Sequence, residues 1–425
     1  MMQCVRQSLA HGLSHVHARM PPTFVRAVDR LARHGAALMR PRLPILQFDG
    51  SLAQAGDPTR VVVVDDQPCV SYFVQPLFDD APVASPAAVG ASWLGLSAAL
   101  DRLAAEADLL MVRLPRGLGR LRLDDRYLRV PEAVACRAEV PADGALPARA
   151  RRSQSRNLRL LRRARLGWRV SHRREDFERF YESMYVPFAR QRFGAQASTR
   201  SRPRLLSSFL RGGLMWIVDE RDEVLGGLIY SVERDALVSV AAGTAGGDVE
   251  LLKRGVMPAT DAFAFELAHR LGLRYCDMGL SRPCLTDGVL RYKSRWGAVL
   301  GGGGATPYEL FVRWDRFNAA VGRLLHRLPL IVDDGVGLAG LGACAAEVDR
   351  AAAAELAGEL VVPGLRGMWL IAPGCDAPVG VELPAGHGLT LAGPGSSGQI
   401  SAWLRRGAGG RAAPSTVRAE AATSP

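Results

Sequence analysis

Three consecutive β-strand patterns between residues 214 and 244 limit the fold of this chain more than any other feature. The segments LMWIVDE, VLGGLIYSVE and ALVSVAAGT are rich in β-branched and aromatic residues, and the charged tight turns ERDE and ERDA join them. Such short turns connect antiparallel neighbours, so the pattern predicts a β-meander. Helical patterns precede it (REDFERFYESMYVPFARQRF, bent or broken near Pro187, and PRLLSSFLRGG), and PATDAFAFELAHRLG follows it. We therefore predict an α/β (α+β) fold with a mixed, mostly antiparallel central sheet flanked by helices.

A strand pattern, RYCDMG, follows these elements and carries Asp277 near its end, before a polar loop and the helical pattern DGVLRYKSRWG. Arginine is the usual cation of this chain and lysine is scarce, yet Lys293 stands in this helix beside Tyr292. Two interpretations remain open from the residues alone. Either Asp277 and Lys293 carry out chemistry, or Asp277 caps the loop and Lys293 holds it closed against Asp277 or Asp287. Trp296 is predicted to lie in the core.

Three motifs, taken in sequence order, resemble a known family. RRSQSRNLRLLRRARLGWRV is similar to a helix of the form R-x-x-R-N-x-R-x-x-R that is followed by a glycine and a strand. LRYCDMG is similar to a strand that ends in D-x-G, and DGVLRYKSRWGA is similar to a Y-K-x-x-W/F-G signature. Together with the order β-α-α-β-β-β-α-β-α-β over residues 168–313, they resemble the GNAT N-acetyltransferase fold. The likeness is to its two-lobed branch, which includes the Fem-type peptidoglycan aminoacyltransferases and the CelD-like acetyltransferases of bacterial exopolysaccharide synthesis.

The resemblance implies tandem GNAT-like lobes. We predict a basic amphipathic arm at 1–44, an N-terminal degenerate GNAT-like lobe at 45–148 and a C-terminal GNAT acyltransferase lobe at 149–325. A C-terminal extension at 326–425 would end in a tail that is poor in bulky apolar residues, which we expect to be disordered. Local patterns add strands at 60–66, 69–78, 109–115 and 134–141, helices at 92–106 and 342–358, and strands in WLIAP and LTLAG.

The resemblance also implies a reaction: transfer of an acyl group from acyl-CoA, such as acetyl-CoA, to an amine or hydroxyl of a polysaccharide or cell-envelope precursor. It places Lys293 at the acyl-transfer centre or on a substrate phosphate. Asp277 would accept a proton or orient the acceptor, and Tyr292 would donate a proton. Acyl transfer passes through a tetrahedral oxyanion, so it needs hydrogen-bond donors aimed at that oxygen and groups that move the nucleophile's proton.

In GNAT enzymes a splayed central strand exposes backbone N–H groups near the thioester, and here that part would be Val240 to Ala242. The next loop cradles pyrophosphate at a helix N-terminus, where free N–H groups and the helix dipole favour anions. Its counterpart here, KRGVMP, contains Lys253, Arg254 and Gly255 and has one glycine only, so it departs from the family pattern Q/R-x-x-G-x-G/A. Three functions therefore stay open: acyl-CoA-dependent transfer, aminoacyl-tRNA-dependent transfer of the Fem type, and a catalytically inactive GNAT-like scaffolding module.

The chain's charge is concentrated in one segment. Eleven arginines and no Asp or Glu lie between residues 144 and 174, and they account for nearly all of the formal net charge of +12. We predict one helix over 149–167, with Gly167 as its C-cap. Four arginines would share one face of it at helical spacing: Arg152, Arg156, Arg159 and Arg163.

Like charges this dense repel one another, and a polyanion would relieve the repulsion. The predicted ligands are a phosphate-bearing small molecule or glycan precursor, such as a nucleotide-sugar diphosphate or a lipid pyrophosphate, the phosphates of CoA, an anionic membrane surface, or tRNA. The alternative is a solvated helix face. Ser281, in the polar loop after Asp277, is a further predicted substrate contact. No aromatic residues interleave these arginines in a way that indicates base stacking, so we do not expect sequence-specific nucleic-acid binding.

Composition argues against several other classes of protein. The sequence contains no run of 18 apolar residues, so we predict no transmembrane helix. The seven cysteines form no C-x-x-C pair and the eight histidines no H-E-x-x-H motif, so we expect no metal centre and no disulfide scaffold. We expect a cytoplasmic protein, with the inner membrane surface as a peripheral location.

Overall fold

The structure is a computed structural model that describes residues 43–51, 58–64, 74, 78, 83–86, 95–194, 199–301, 306–344, 349–372, 379–382 and 388–409. Most of the predicted N-terminal arm, most of the predicted strand at 69–78 and most of the predicted disordered tail lie outside these residues. The chain forms two compact units. Unit 1 contains Ala135–Leu280 and Tyr292–Val299, and unit 2 contains the described residues of Leu31–Val134, Ser281–Arg291 and Leu300–Pro425.

The first part of unit 2 consists of strands and two helices. In chain order they are β1 (Ile45–Ser51), β2 (Pro58–Val64), β3 (Val83–Pro86), α1 (Leu96–Glu106), β4 (Leu109–Pro115), α2 (Arg116–Arg122) and β5 (Leu128–Pro131). The predictions of a strand at 60–66, a helix at 92–106 and a strand at 109–115 are confirmed to within a few residues at each end. Strand β4 is almost fully buried, in keeping with its sequence LLMVRLP, which is apolar except for the partly buried Arg113.

Unit 1 carries the predicted meander. Its elements before the meander are β6 (Val134–Glu139), α3 (Ala148–Ser153), α4 (Ser155–Arg163), β7 (Gly167–Ser171), α5 (Arg174–Phe180), a π-helix (Tyr181–Tyr185), α6 (Val186–Phe193) and α7 (Arg202–Leu210). The meander and the elements that follow it are β8 (Gly212–Val218), β9 (Val224–Glu233), β10 (Ala236–Thr244), α8 (Glu250–Lys253), α9 (Val256–Arg270), β11 (Tyr275–Ser281), α10 (Gly288–Arg295) and β12 (Val299–Leu300). The last residue of β11, the first half of α10 and the last residue of β12 are assigned to unit 2.

These strands form a seven-stranded sheet in the order β12-β6-β11-β10-β9-β8-β7. Strands β7 to β10 pair antiparallel, whereas β10 and β11 pair parallel. A hydrophobic core lies between this sheet and helices α5 and α7, with Phe177, Phe180, Phe209 and Trp216 almost fully buried. The predicted mixed, mostly antiparallel sheet flanked by helices is confirmed.

The predicted break near Pro187 takes the form of the π-helix that directly precedes α6. A proline cannot donate the backbone hydrogen bond of a regular helix, and its ring crowds the carbonyl four residues earlier, so a wider turn relieves the conflict. This wide turn packs closely on β10. A Cβ added to Gly243 would lie within 2.9 Å of the Met184 backbone, so a glycine is needed there.

The predicted single arginine helix is wrong in two respects. The helix is interrupted at Gln154, whose backbone (φ −106°, ψ 14°) leaves the helical region, so Arg152 lies on α3 while Arg156, Arg159 and Arg163 lie on α4. Gly167 is not the C-cap, because α4 ends at Arg163 and Gly167 begins β7. Arg165 instead adopts the left-handed conformation (φ 47°) that ends the helix.

The rest of unit 2 comes from the C-terminal part of the chain. Its elements are β13 (Tyr308–Arg313), α11 (Ala319–Arg327), β14 (Leu330–Asp333), β15 (Leu338–Ala343), α12 (Arg350–Leu360), β16 (Gly367–Ile371), β17 (Val379–Glu382), β18 (Gly388–Ala392) and α13 (Ser397–Gly409). Strand β13 pairs antiparallel with β4 and β5, in a six-stranded sheet of order β3-β1-β2-β4-β13-β5. The remaining strands form a five-stranded sheet of order β14-β15-β16-β18-β17.

Strands from both ends of the sequence share one core in unit 2. Phe48 and Val61 belong to the same cluster of buried apolar side chains as Leu330, Val332 and Leu341. The predicted helix at 342–358 begins later and ends later, at Arg350–Leu360, and the strands predicted in WLIAP and LTLAG are confirmed. Among the described residues, no helix has the length and hydropathy needed to cross a membrane.

Candidate active site

Strands β10 and β11 part from each other within unit 1. Their parallel pairing covers Ala236–Val238 and Tyr275–Asp277, although β10 continues to Thr244 and β11 to Ser281. Directly after the paired stretch, the register of β10 against β9 shifts between Ser239 and Ala241, so Val240 forms a bulge. A bulge leaves backbone groups outside the regular ladder and turns them in a new direction. The bulge falls within the segment predicted to expose backbone N–H groups, Val240 to Ala242, and that role stays a prediction.

Asp277 lies at the point where the two strands part. Its Oδ1 accepts a hydrogen bond from the backbone N–H of Gly279 at 2.9 Å, and its Oδ2 lies 3.5 Å from the Arg137 guanidinium. Gly279 has a φ of 75°, which favours glycine, so the carboxylate stabilises a left-handed backbone conformation within β11, in the D-x-G segment. These contacts are those of the capping interpretation, and the predicted catalytic role of Asp277 stays a prediction.

Lys293 is buried, with 9% of its surface exposed, and its Nζ donates a hydrogen bond to the carbonyl oxygen of Leu280 at 2.7 Å. The ammonium therefore lies beside the end of β11, directly after the D-x-G segment. A buried ammonium is retained only where acceptors or negative charges compensate for its lost hydration. Asp287 makes a separate contact, in which its Oδ1 accepts the N–H of Leu290 at 2.8 Å and caps the start of α10.

Asp261, which the sequence analysis missed, joins these groups. It lies on α9, and the hydroxyl of Tyr292 donates a short hydrogen bond to its Oδ2. Burial raises the pKa of Asp261 from 3.8 to about 6, although the hydrogen bond from Tyr292 and the positive charge of Lys293 act in the opposite direction. Its carboxylate is therefore ionised at neutral pH but has a proton affinity unusually high for an aspartate.

The same surroundings shift Tyr292. Burial, the charge of Asp261 and the hydrogen bond to it raise the pKa of Tyr292 far above its usual value, while the charge of Arg192 on α6 acts the other way. Tyr292 therefore keeps its proton, which it donates in a hydrogen bond to Asp261. A signal for Asp261 does exist in the sequence, since it is the single acid in the apolar stretch PATDAFAF, where an unpaired carboxylate would be costly to bury.

Two neighbouring residues serve packing. Trp296 is fully buried and stacks on Phe265 with ring centroids 6.4 Å apart, as predicted for a core residue. Its ring also forms an edge-to-face pair with the Tyr292 ring, with centroids 6.3 Å apart, which helps to fix the orientation of Tyr292. Cys276 is buried, and its thiol lies 3.5 Å from the Ala264 carbonyl oxygen. Burial raises the pKa of Cys276 well above its usual range, so it is not a thiolate nucleophile at neutral pH.

The predicted phosphate-binding loop is closely packed. Gly255 is the N-cap of α9 with a φ of 85°, and a Cβ placed on it would lie 3.2 Å from atoms of both Leu160 and Leu161. Lys253 forms an ion pair with Glu250 at 2.7 Å, and Arg254 lies 4.0 Å from Asp219. The α9 N-terminus thus faces helix α4, and both predicted cations already have acidic neighbours.

The other predicted substrate residues are dispersed. Arg156, Arg159 and Arg163 are exposed on α4, Arg152 is exposed on the separate helix α3, and Ser281 is buried at the end of β11. The structure therefore brings Tyr292 and Lys293 together with Asp261, and it leaves the arginines in solvent. Among the described residues, no group of three or more His, Cys, Asp or Glu side chains is arranged to hold a metal ion.

The topology of unit 1 defines a GNAT-like α/β unit: a meander whose last strand is bulged, a helix, and a parallel strand that diverges from the bulge. No protein-family model and no curated protein matches the chain. Similar solved structures include L-PGS from Bacillus licheniformis (9% identity, TM-score 0.31, covering 63% of this chain and 80% of that chain). They also include FemX (11% identity, TM-score 0.32, covering 64% of this chain and 84% of that chain). A third is a GCN5-related N-acetyltransferase from Sphaerobacter thermophilus (15% identity, TM-score 0.28, covering 60% of this chain and 72% of that chain).

Proposed function

We propose that unit 1 catalyses GNAT-type acyl transfer from an acyl-CoA to an amine or hydroxyl of a phosphate-bearing polysaccharide or cell-envelope precursor. The observation that carries this proposal is the group formed by Asp261, Tyr292 and Lys293 beside the diverging strands β10 and β11. A carboxylate with a pKa near 6, a tyrosine hydroxyl and a buried ammonium are the proton-transfer and charge-stabilising groups that the reaction needs.

In the proposed reaction the acceptor's lone pair attacks the acyl carbonyl carbon, a C–N or C–O bond forms, and the C–S bond breaks. Backbone N–H groups of β10 around Val240 and the ammonium of Lys293 stabilise the oxyanion. Tyr292 takes the acceptor's proton while it passes its own to Asp261. The proton then returns along the same path to the thiolate that leaves, so no net proton is gained or lost by the protein.

The close packing around Gly255 favours an alternative acyl donor, an aminoacyl-tRNA in place of acyl-CoA. Because the N-terminus of α9 faces Leu160 and Leu161, and Lys253 and Arg254 have acidic neighbours, few groups remain there for the phosphates of CoA. An aminoacyl-tRNA would supply the same acyl carbon as an ester, from which a ribose hydroxyl would leave. The reaction steps at Asp261, Tyr292 and Lys293 would be the same.

The test is a transfer assay of the full chain with acetyl-CoA and, separately, with aminoacyl-tRNA, against a panel of amino sugars and nucleotide sugars. We expect acceptor-dependent product with one donor, and a kcat/KM that rises with pH through about 6 as Asp261 ionises. Asp261→Asn should remove this dependence and lower kcat by about 10²–10⁴-fold, the usual contribution of a general base.

An inactive module would behave differently. It would show no product with either donor, and titration calorimetry would detect binding of neither. Product formation that is unchanged in Asp261→Asn would also contradict the proposed roles, even if the acyltransferase activity itself were present.

A further inference from the structure

A groove of about 630 Å³ lies in unit 1 between the arginine-rich helices α3 and α4 and one side of α9. Its volume is in the range of small-molecule sites. Asp261, Tyr292 and Lys293 do not line it, and neither do Arg156, Arg159 and Arg163 on the exposed side of α4. The groove is therefore separate from the candidate active site and from the predicted arginine face.

The floor of the groove is apolar. Side chains from α4, from the turn after it and from α9 form the floor: Leu158, Leu161, Leu166, Ala262 and Phe263. Leu161 is buried, whereas Leu158, Leu166 and Phe263 keep part of their surface exposed in the groove. Exposed apolar surface that is concave and continuous is a favourable place for an apolar chain, because burial there removes it from water.

The rim of the groove is cationic. Arg151, Arg162 and Arg165 line it and are exposed. Within the part of the chain that the structure describes, neither Arg151 nor Arg162 has a carboxylate within 4.0 Å, and Arg165 contacts Glu220 at 2.6 Å only through two largely exposed side chains. Such an exposed pair contributes little and is easily exchanged for another anion. The one acid of the lining, Glu266, accepts hydrogen bonds from Trp168 and Arg270 on its two oxygens.

Two backbone features shape the rim of the groove. Helix α4 begins at Ser155 on the edge of the groove, where one residue, Gln154, separates it from the end of α3, and no described side chain caps this end by a hydrogen bond. At the other end, the N–H groups of Arg165 and Leu166 bond the carbonyl oxygens of Arg162 and Leu161, which is a Schellman motif. Glycine is preferred at the left-handed position, yet Arg165 occupies it with a φ of 47°.

We propose that this groove binds a single anionic amphiphile, with a phosphate or pyrophosphate head on Arg151, Arg162 and Arg165 and an apolar chain along Leu158 and Phe263. The apolar floor and the cationic rim together are complementary to that class of ligand. A free phosphate would leave the floor uncovered, and a neutral lipid would leave the rim without an anion. This binding does not depend on the proposed acyl transfer.

The test is isothermal titration calorimetry of the full chain with alkyl phosphates of increasing length, each below its critical micelle concentration. Affinity should rise about fourfold per added methylene while the chain still fits, from about 0.8 kcal/mol per buried methylene. Inorganic phosphate and decyl maltoside, which carry the head and the chain alone, should each bind far more weakly than decyl phosphate. Equal binding of inorganic phosphate and decyl phosphate would overturn the proposal.

Two neighbouring arginines on α3 offer a matched pair of variants. Arg151→Glu changes a lining residue, whereas Arg149→Glu makes the same charge change on an exposed arginine outside the lining. We expect Arg151→Glu to weaken decyl phosphate binding about 10- to 100-fold, as for a lost charge-assisted hydrogen bond, and Arg149→Glu to weaken it little. Equal losses would mean that only the net charge matters, which would contradict a defined site.

A gain of affinity gives a test that misfolding cannot imitate. Glu266→Gln removes the single negative charge of the lining and keeps an oxygen that can accept the bond from Trp168. We expect tighter binding of decyl phosphate and unchanged binding of decyl maltoside. If the chain binds phosphatidylglycerol vesicles but no monomeric alkyl phosphate, the arginines dock on a membrane surface and the groove proposal is wrong.

Discussion

The hydroxyl of Tyr292 on α10 donates a hydrogen bond to the carboxylate of Asp261 on α9, and the two residues lie 31 positions apart in the sequence. Each residue alters the other: the bond holds down the pKa of Asp261 and raises that of Tyr292. Lys293, the next residue on α10, lies close enough for its charge to act on Asp261, while its ammonium is held by Leu280 at the end of β11. Two helices and a strand end thus meet at one cluster of ionisable side chains.

The raised pKa of Asp261 predicts a specific dependence of stability on pH. In the unfolded chain this group titrates near 3.8 and in the folded chain near 6, so the folded state binds more protons between these values. The contribution of Asp261 to stability is then most favourable below pH 3.8, falls as pH rises towards 6, and stays low above 6. The whole difference is at most about 3 kcal/mol, at 1.36 kcal/mol for each pH unit.

Denaturant unfolding of the parent and of Asp261→Asn between pH 4.5 and 7.5 measures this effect. The free energy of unfolding of the parent relative to the variant should decrease up to about pH 6 and then level off, because other titrating groups are common to both proteins. Tyr292→Phe should move the levelling point to higher pH, since it removes a bond that lowers the pKa of Asp261. A difference between parent and Asp261→Asn that does not vary with pH would contradict the assignment.

Lys293→Met should lower kcat by about 10²–10³-fold, the usual effect of removing one oxyanion donor. The apolar methionine keeps most of the packing volume, but the Leu280 carbonyl loses its donor, so we expect about 1–3 kcal/mol of destabilisation. The only other lysine of the sequence, Lys253, is largely exposed, and Lys253→Met should leave the free energy of unfolding nearly unchanged. Wild-type kcat in a folded Lys293→Met protein would contradict the catalytic role.

The chain's local patterns predicted much of unit 1, because they are set by residues close together in sequence. The meander, the helices around it and the strand RYCDMG follow from periodicity and turn residues alone. The break of the arginine helix at Gln154 does not follow from such local patterns. The hydroxyl of Ser153, the residue before it, donates at 2.6 Å to the carbonyl oxygen of Arg295, which is 142 positions away. No local pattern contains such a contact.

The same limit applies to the site and to unit 2. Lys293 and Tyr292 could be selected because they stand out beside each other in one helix. Asp261 stands alone in its helix, and its function depends on a partner that only the fold supplies. In unit 2, β13 pairs with β4 across almost two hundred residues, a pairing that strand propensity does not specify.

Gly255→Ala should destabilise the protein more than Gly246→Ala. Both glycines have a positive φ, 85° and 62°, so alanine is strained at both by about 1–2 kcal/mol. Only at Gly255 would the added Cβ also lie 3.2 Å from Leu160 and Leu161, whereas no heavy atom lies within 4 Å at Gly246. Overpacking should add about 1–3 kcal/mol at Gly255, measurable by urea unfolding. Equal destabilisation would show that α4 yields at this contact and leaves room for a phosphate.

Salt should separate the arginines of the groove from those of the exposed face of α4. Arg159 is exposed and outside the lining, so any help that it gives to an anionic ligand acts through solvent, where charges are screened within about 10 Å at 0.1 M salt and about 3 Å at 1 M. Arg162 lines the groove and would contact the head group directly. Arg159→Glu should therefore weaken binding of decyl phosphate at 0.02 M salt but not at 0.5 M, and Arg162→Glu should weaken it at both.

Arg159→Glu also provides its own folding control. A glutamate at 159 would lie three residues from Arg156 and four from Arg163, so repulsive neighbours become attractive at helical spacing. We expect a gain of a few tenths of a kcal/mol in the free energy of unfolding. If Arg159→Glu weakens binding as much as Arg162→Glu at 0.5 M salt, the anion sits on the exposed face of α4 and the predicted contacts of Arg152, Arg156, Arg159 and Arg163 are favoured over the groove.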